Sequence, residues 1–297
     1  MKNEFILNEK KFRAFCIYRL LFGISYSIMI PIIPLFFKSI GMETVTIGMV
    51  ISLYGVSKTI MQIPFGIVCD KIGDKLTLKL ALLLMGLVPI GYVLSNTSLQ
   101  AGSLYVIQGA ILGMAAPATY SVLARTLNVK RRGECTGLAS AVFTLGGGIG
   151  AAIASFILTK LNNFSMAFNI SSLGIFFTLI YVIIRVNKVK PMKNKDNKKE
   201  SIKEILYEIR RREFVCKIII LSSSAFLGDY IYSCVVALIH FYGQDVLHVS
   251  TSYTSSIISV YLLVFGLGAP IAGWVSDKIG NKKQLLYSFF TMNFTLL

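Results

Sequence analysis

The sequence has few charged residues for its length. Only 15% of its 297 residues are Asp, Glu, Lys or Arg, whereas soluble domains carry about 25%. The charge is one-sided, with 30 Lys and Arg against 14 Asp and Glu. A nucleic-acid-binding domain would carry such basic residues on a mainly polar scaffold. Here they separate long apolar runs, so we expect an integral membrane protein whose surroundings are the lipid bilayer, with no nucleic-acid partner.

Residues that carry metal and acid–base chemistry are scarce. The chain has two histidines, His240 and His248, and it contains neither an HExxH sequence nor paired aspartates inside an apolar run. Its five cysteines show no CxxC spacing, and an odd number does not form a complete disulfide framework. We therefore predict free thiols, no metal site, no cofactor and no enzyme activity.

Apolar runs recur at the length that a membrane helix needs. A helix of about 20 residues crosses a hydrocarbon core of about 30 Å. The sequence predicts an all-α integral membrane fold with about eight complete spans and a partial ninth, which begins at Gln284 and stops at Leu297. We therefore expect the chain to end inside a span. The complete runs cover 14–37, 46–69, 76–96, 101–123, 135–158, 165–187, 217–241 and 252–275.

Lys and Arg are concentrated in alternate loops, and this predicts the orientation. Basic residues mark the cytoplasmic side of a multi-pass protein. The loops on the other side contain only Lys38 and Lys160. We therefore expect a multi-pass plasma-membrane protein with a cytoplasmic N-terminus. A basic cytoplasmic linker at 188–216 would separate a six-helix bundle at 1–187 from an incomplete second bundle at 217–297.

A short sequence that follows the second predicted span recurs after the eighth. The chain reads GIVCDKIGDK at 66–75 and GWVSDKIGNK at 273–282. Parallel repeats of a six-span unit build the two halves of some transporters. The segment resembles the loop that is typical of the major facilitator superfamily, in which glycine, aspartate, a basic residue and a second glycine recur. The matching positions are Gly66, Asp70, Lys71, Gly73 and Lys75 in the first copy, and Gly273, Asp277, Lys278 and Gly280 in the second.

The resemblance implies a secondary transporter that acts by alternating access, in which two six-helix halves rock around a midplane site. In such a protein Asp70 would cap a neighbouring helix or pair with Arg131 or Arg132, which would stabilise one conformation. The segments 31–42 and 131–138 also resemble the family's sequence at the end of helix one and the start of helix five.

Three positions depart from the family's pattern. Asp74 stands where the family usually has a basic residue, which leaves the charge network of this loop open. Tyr105 stands where proton-linked members often have an arginine before Gln108, and Gly150 is followed by alanine rather than proline. The resemblance therefore implies neither proton coupling nor antiport from these motifs.

Charged residues at membrane depth are costly, so each one is a candidate site residue. Asp229 lies in the seventh run, where the resemblance places a helix of the central cavity, and we expect it to line the substrate or coupling site; a structural partner is the alternative. Lys58 fits a gating, structural or substrate contact. Arg19 lies near the cytoplasmic end of its span, where snorkelling to lipid phosphates explains it. Polar and aromatic candidates are Gln62, Tyr26, Tyr105, Gln108 and Tyr232.

Three functional hypotheses follow. The leading one is secondary transport of a small solute, with efflux of drug-like or amphipathic compounds favoured by the resemblance and protons as a candidate coupling ion. The cations Lys58 and Arg19 favour uptake or export of an anionic or sugar-like metabolite. A non-transporting fragment of a truncated gene is the third hypothesis. The complete transporter is expected to be a monomer.

Overall fold

The computed structural model describes residues 9–127, 131–186 and 215–295, the last range with gaps at 217–218, 224–225, 229, 231–238, 240–241 and 244–245. The chain divides into two compact units. One comprises Met1–Val189 and Ser255–Leu297, and the other comprises Lys190–Thr254. In the second unit, the N–H of Val249 donates a hydrogen bond to the carbonyl of Gly243 at 2.8 Å. The predicted domain boundaries stay a prediction.

The described chain is helical. Its helices are α1 (Lys10–Met29), α2 (Ile33–Ser39), α3 (Thr44–Ile72), α4 (Asp74–Leu94), α5 (Ser98–Thr126), α6 (Arg132–Leu161), α7 (Phe164–Arg185), α8 (Thr251–Ile279) and α9 (Asn281–Thr295).

Helices that are long and apolar enough to cross a membrane coincide with the first six predicted spans. They are α1 together with α2, and then α3, α4, α5, α6 and α7. The predicted seventh span, 217–241, lies mostly outside the described residues. The helix α8 covers the eighth apolar run but is not among these six. The all-α membrane fold is confirmed, whereas the total of about eight spans and a partial ninth stays a prediction.

Proline explains the break between α1 and α2. Pro31 lacks the N–H group that a continuing helix would need, and it disfavours helical backbone at the residue before it. The helix α1 ends at Met29, and α2 begins at Ile33 with Pro34 in its first turn. A hydrogen bond of 3.2 Å from the N–H of Ile32 to the carbonyl of Met29 closes the intervening turn. The two helices therefore form one bent span.

The two copies of the repeated loop have the same backbone conformation at their second glycine. Gly73 separates α3 from α4 with φ 93°, and Gly280 separates α8 from α9 with φ 88°. Side chains disfavour this positive region, and glycine adopts it readily. The repeated letters therefore correspond to a repeated turn between two helices.

Glycine also allows close packing inside the first bundle. The helix α1 packs on α6 and α7, α3 packs on α5, and α4 packs on α5 and α7. A Cβ atom added at Gly146 would meet the carbonyl of Leu20, and one added at Gly150 would meet the carbonyl of Ile24. Small residues at this spacing let helix backbones approach within a membrane. The contact between α1 and α6 thus depends on these glycines.

Candidate functional site

The second copy of the repeated loop caps the N-terminus of α6. The carboxylate of Asp277 accepts hydrogen bonds from the backbone N–H groups of Gly133 and Glu134, each at 2.8 Å. The first N–H groups of a helix lack intrahelical acceptors, and they carry the positive end of the helix dipole. The residue that precedes α6, Arg131, provides no side-chain cap. We call this pair of hydrogen bonds the Asp277 cap.

Close approach of α6 and α8 brings Asp277 to that position. A Cβ atom at Gly273 would meet the carbonyl of Gly133, and one at Gly137 would meet the carbonyl of Ala269. Both helices therefore present small residues four positions apart at the point where they cross. This arrangement is a contact between the start of α6 and the end of α8, with a carboxylate at its edge.

The neighbouring loop residues of the second copy stay at the surface. Asp277, Lys278 and Gly280 are exposed, and the ammonium group of Lys278 lies 3.6 Å from the ring centroid of Trp274. A cation over an indole ring is attracted by the electrons of the ring face. The Asp277 cap is thus within reach of water.

The first copy makes no equivalent contact in the described part of the chain. Asp70 and Lys71 are exposed, and no described atom lies within 4 Å of a Cβ atom placed at Gly66. Arg131 pairs instead with Glu134, at 2.7 Å from Nη2 to Oε2. The predicted roles of Asp70, capping a helix or pairing with Arg131 or Arg132, stay predictions, and the helix cap observed here is made by Asp277 in the second copy.

Asp74, the acid that departs from the family's pattern, has its own counter-ion. Asp74 is 4% exposed in the first turn of α4, and its Oδ2 lies 3.4 Å from Nε of Arg125 in the last turn of α5. The hydroxyl of Ser121 donates to the same oxygen at 3.3 Å, and the N–H of Lys75 donates to Oδ1 at 2.9 Å. An acid at a helix N-terminus and a base at a C-terminus both suit the helix dipoles. The loop's charge network is thus an ion pair between α4 and α5.

Three of the predicted cavity residues belong to one buried network. The hydroxyl groups of Tyr26 and Tyr54 lie 2.9 Å apart, and Tyr92 donates to Oε1 of Gln108 at 2.7 Å. Nε2 of Gln108 donates to Tyr26 at 3.5 Å, and the ring of Tyr105 stacks on that of Tyr54 with 4.6 Å between centroids. Buried polar groups that satisfy one another rigidify a core. The network joins α1, α3, α4 and α5.

The two charged candidates of the first bundle have different surroundings. Lys58 and Gln62 lie on α3, where Lys58 is partly exposed and Gln62 is exposed. The guanidinium carbon of Arg19 lies 4.1 Å from the ring centroid of Phe143 on α6. Phe143 is about three turns inside α6. The guanidinium therefore does not extend to the helix end, as snorkelling would require.

Two site candidates from the seventh apolar run, Asp229 and Tyr232, lie outside the described residues. Their roles stay predictions.

The contacts of Asp277 and Asp74 were not predicted from the sequence. A signal for the first was present, because Gly133 and Gly137 have the spacing of small residues at helix contacts. The only signal for the second was the unusual acid at Asp74.

Comparison with known proteins agrees with this architecture. The sequence model of the Major Facilitator Superfamily matches residues 15–297. An uncharacterized MFS-type transporter of Methanocaldococcus jannaschii, MJ1560, is 24% identical over 272 residues, which are 89% of this chain and 67% of that protein. The quinolone resistance protein NorA of Staphylococcus aureus is 27% identical over 145 residues, 47% of this chain and 37% of NorA. The chain belongs to the major facilitator superfamily.

Proposed function

We propose that the protein exports small drug-like or amphipathic solutes across the plasma membrane by alternating access. The observation that supports alternating access is the Asp277 cap, which joins α6 to α8 across a contact of small residues. With the basic loops on the cytoplasmic side, the cap closes that side of the protein. Its loss would let the helices separate there.

The free energy of the Asp277 cap is of the size expected for a contact that breaks and re-forms between two conformations. Hydrogen bonds to a charged group contribute about 1.5–3 kcal/mol each, and the exposure of Asp277 reduces that value further. A ligand shifts an equilibrium only by its differential affinity for the two states. A cap of a few kcal/mol is therefore strong enough to favour one conformation and weak enough for a bound solute to release it.

Export of amphipathic solutes is supported by the relationship to NorA, whose name assigns it to quinolone resistance. Aromatic side chains are also abundant, with 12% Phe, Trp and Tyr in the sequence. Proton coupling is part of the proposal through Asp229, because an intramembrane carboxylate can change its protonation with access to water.

A second candidate function rests on charge. Arg19 and Lys58 are cations inside the apolar helices of the first bundle, which favours a substrate that carries negative charge. An anionic or sugar-like metabolite is the corresponding alternative to a drug-like compound.

Accumulation of fluorescent compounds in cells tests the proposal. The host should lack its own drug pumps, and the panel should contain ethidium and a fluorescent quinolone. We expect cells that express the parent chain to accumulate less of at least one compound than empty-vector cells, and a protonophore to abolish the difference. Asp277→Ala should reduce export, because both hydrogen bonds of the cap are lost.

The matched control is Lys283→Ala, which removes an exposed charge from the start of α9. Its export should equal that of the parent at the same protein level. Equal accumulation in parent and empty-vector cells for the whole panel would contradict the proposal, and it would favour a metabolite substrate or a non-transporting chain.

A further inference from the structure

Arg19 is a cation of α1 that lies against an aromatic ring of α6. The ring of Phe143 on α6 lies against its guanidinium, and the ring of Phe22 on α1 stacks with that of Phe143 at 6.2 Å between centroids. Tyr18, its neighbour on α1, shares a hydrogen bond of 3.1 Å with Thr119 on α5. Tyr120, the next residue of α5, is 68% exposed. These side chains form what we call the Arg19 pocket.

The pocket lies at membrane depth. Arg19 is in the third turn of α1, about 14 Å along the helix from Lys10 at a rise of 1.5 Å per residue. Its side chain is partly exposed. A charge at this depth is costly unless it is paired or hydrogen-bonded.

No carboxylate of the described residues neutralises Arg19. The ion pairs of Arg125 with Asp74 and of Arg131 with Glu134 do not involve Arg19. Every described acidic residue lies at or near a helix end, outside the apolar interior of the spans. They are Glu9, Glu43, Asp70, Asp74, Glu134 and Asp277.

The ring contact directs the remaining hydrogen-bonding capacity of Arg19. A guanidinium group is planar, stacks on aromatic faces and carries five N–H donors along its edge. Carboxylates accept two such N–H groups side by side. The aromatic rings around it match the apolar body of an amphipathic solute, and the guanidinium edge matches an anionic head.

We propose, resting on the transport function above, that the Arg19 pocket binds the carboxylate of an aromatic or amphipathic acid and so defines the substrate class. The N–H groups of Arg19 hold the carboxylate, and Phe143 and Tyr120 contact the apolar body. Neutral esters of the same compounds lack the charge and bind without help from Arg19.

Binding to the purified 297-residue chain in detergent tests this assignment separately from transport. The probes are 2-naphthoic acid, which is ionised at neutral pH, and its methyl ester, measured by equilibrium dialysis against empty micelles. We expect the parent to bind the acid. Arg19→Gln should lower the affinity for the acid by about 10- to 100-fold, as expected for the loss of hydrogen bonds to a charged group. The ester should bind the parent and Arg19→Gln with the same affinity.

Two further variants separate charge from structure. Arg19→Lys keeps the charge but loses the planar contact with Phe143, so it should bind the acid more weakly than the parent while still preferring acid to ester. Arg13→Gln removes an exposed positive charge from the same helix, and it should bind both probes as the parent does. Size-exclusion profiles and circular dichroism show whether each variant is folded.

The proposal is overturned if the acid fails to bind the parent, or if Arg19→Gln lowers acid and ester binding equally. It is also overturned if the acid binds only to the Asp229→Asn variant, because that result would mean that Asp229 neutralises Arg19 in the parent chain. Acid-selective binding together with no export in cells would leave the Arg19 pocket standing and remove the proposed function. Export without acid-selective binding would leave the proposed function standing and remove the Arg19 pocket.

Discussion

Replacing Gly273 by alanine should weaken the contact between α6 and α8. The added Cβ atom would stand 2.9 Å from the carbonyl carbon of Gly133 and 3.2 Å from Cα of Glu134, whereas carbon atoms pack at about 3.5–4.0 Å. The obstructing atoms are backbone and have little freedom to move aside. Alanine is a better helix former than glycine by about 1 kcal/mol, so α8 itself should not be destabilised.

The free-energy cost of Gly273→Ala can be estimated from the packing of the contact. Inserting a methyl group into a packed contact costs about 1–3 kcal/mol, and the cost falls on the conformation in which the two helices touch. Asp277 lies one turn beyond Gly273, so separation at Gly273 also lengthens the hydrogen bonds of the Asp277 cap. An equilibrium shift of 1–3 kcal/mol corresponds to a factor of about 5–150.

Hydrogen exchange at the capped amides measures this shift. The N–H groups of Gly133 and Glu134 are protected only while Asp277 accepts them, so their exchange reports the open population. In the purified chain, a peptide covering 131–137 should exchange about 5- to 150-fold faster in Gly273→Ala than in the parent. Peptides from the contact between α1 and α6 should exchange at the parent rate.

Gly268→Ala is the matched control for this experiment. It makes the same substitution on the same helix, but among the described residues no atom outside the adjoining part of α8 lies within 4 Å of the added Cβ position. We expect parent-like exchange at 131–137 in this variant. Equal exchange in Gly273→Ala and Gly268→Ala would refute the argument that close packing at Gly273 holds the cap in place.

Two further predictions concern charge and orientation. Arg125→Ala should lower the free energy of unfolding in detergent by about 2 kcal/mol, because it leaves the buried carboxylate of Asp74 without its counter-ion. Adding Asp74→Asn should recover part of this loss. A double-mutant cycle that shows no coupling between the two residues would contradict the prediction. In a background without native cysteines, a membrane-impermeant maleimide should label Lys38→Cys but not Lys283→Cys in intact cells. The opposite labelling would reverse the predicted topology.

The sequence predicted the first six spans because their signal is local. A run of about 20 apolar residues has to form a helix in lipid, since every backbone polar group needs a partner within the span. The break at Pro31 and the turns at Gly73 and Gly280 also follow from single residues. These features depend little on which helices become neighbours.

Contacts between distant helices could not be predicted in the same way. The cap of α6 by Asp277 joins residues separated by 144 positions, and it requires two particular helix faces to meet. Tyr26 and Gln108 were predicted to line a cavity, which stays a prediction, and the sequence did not show that Gln108 donates to Tyr26 or that the pair bonds to Tyr54 and Tyr92. Arg19 likewise needed its neighbour Phe143 on α6 before its depth and orientation were defined.

Glycine pairs on α6 point to the direction in which this helix moves. Gly146 and Gly150 pack against the backbone of α1 at a buried contact, whereas Gly133 and Gly137 pack against α8 near the exposed Asp277. The buried contact cannot exchange its interactions for water, but the hydrogen bonds of the Asp277 cap can. The weaker of two contacts on one rigid helix opens first, so α6 should remain with α1 and separate from α8.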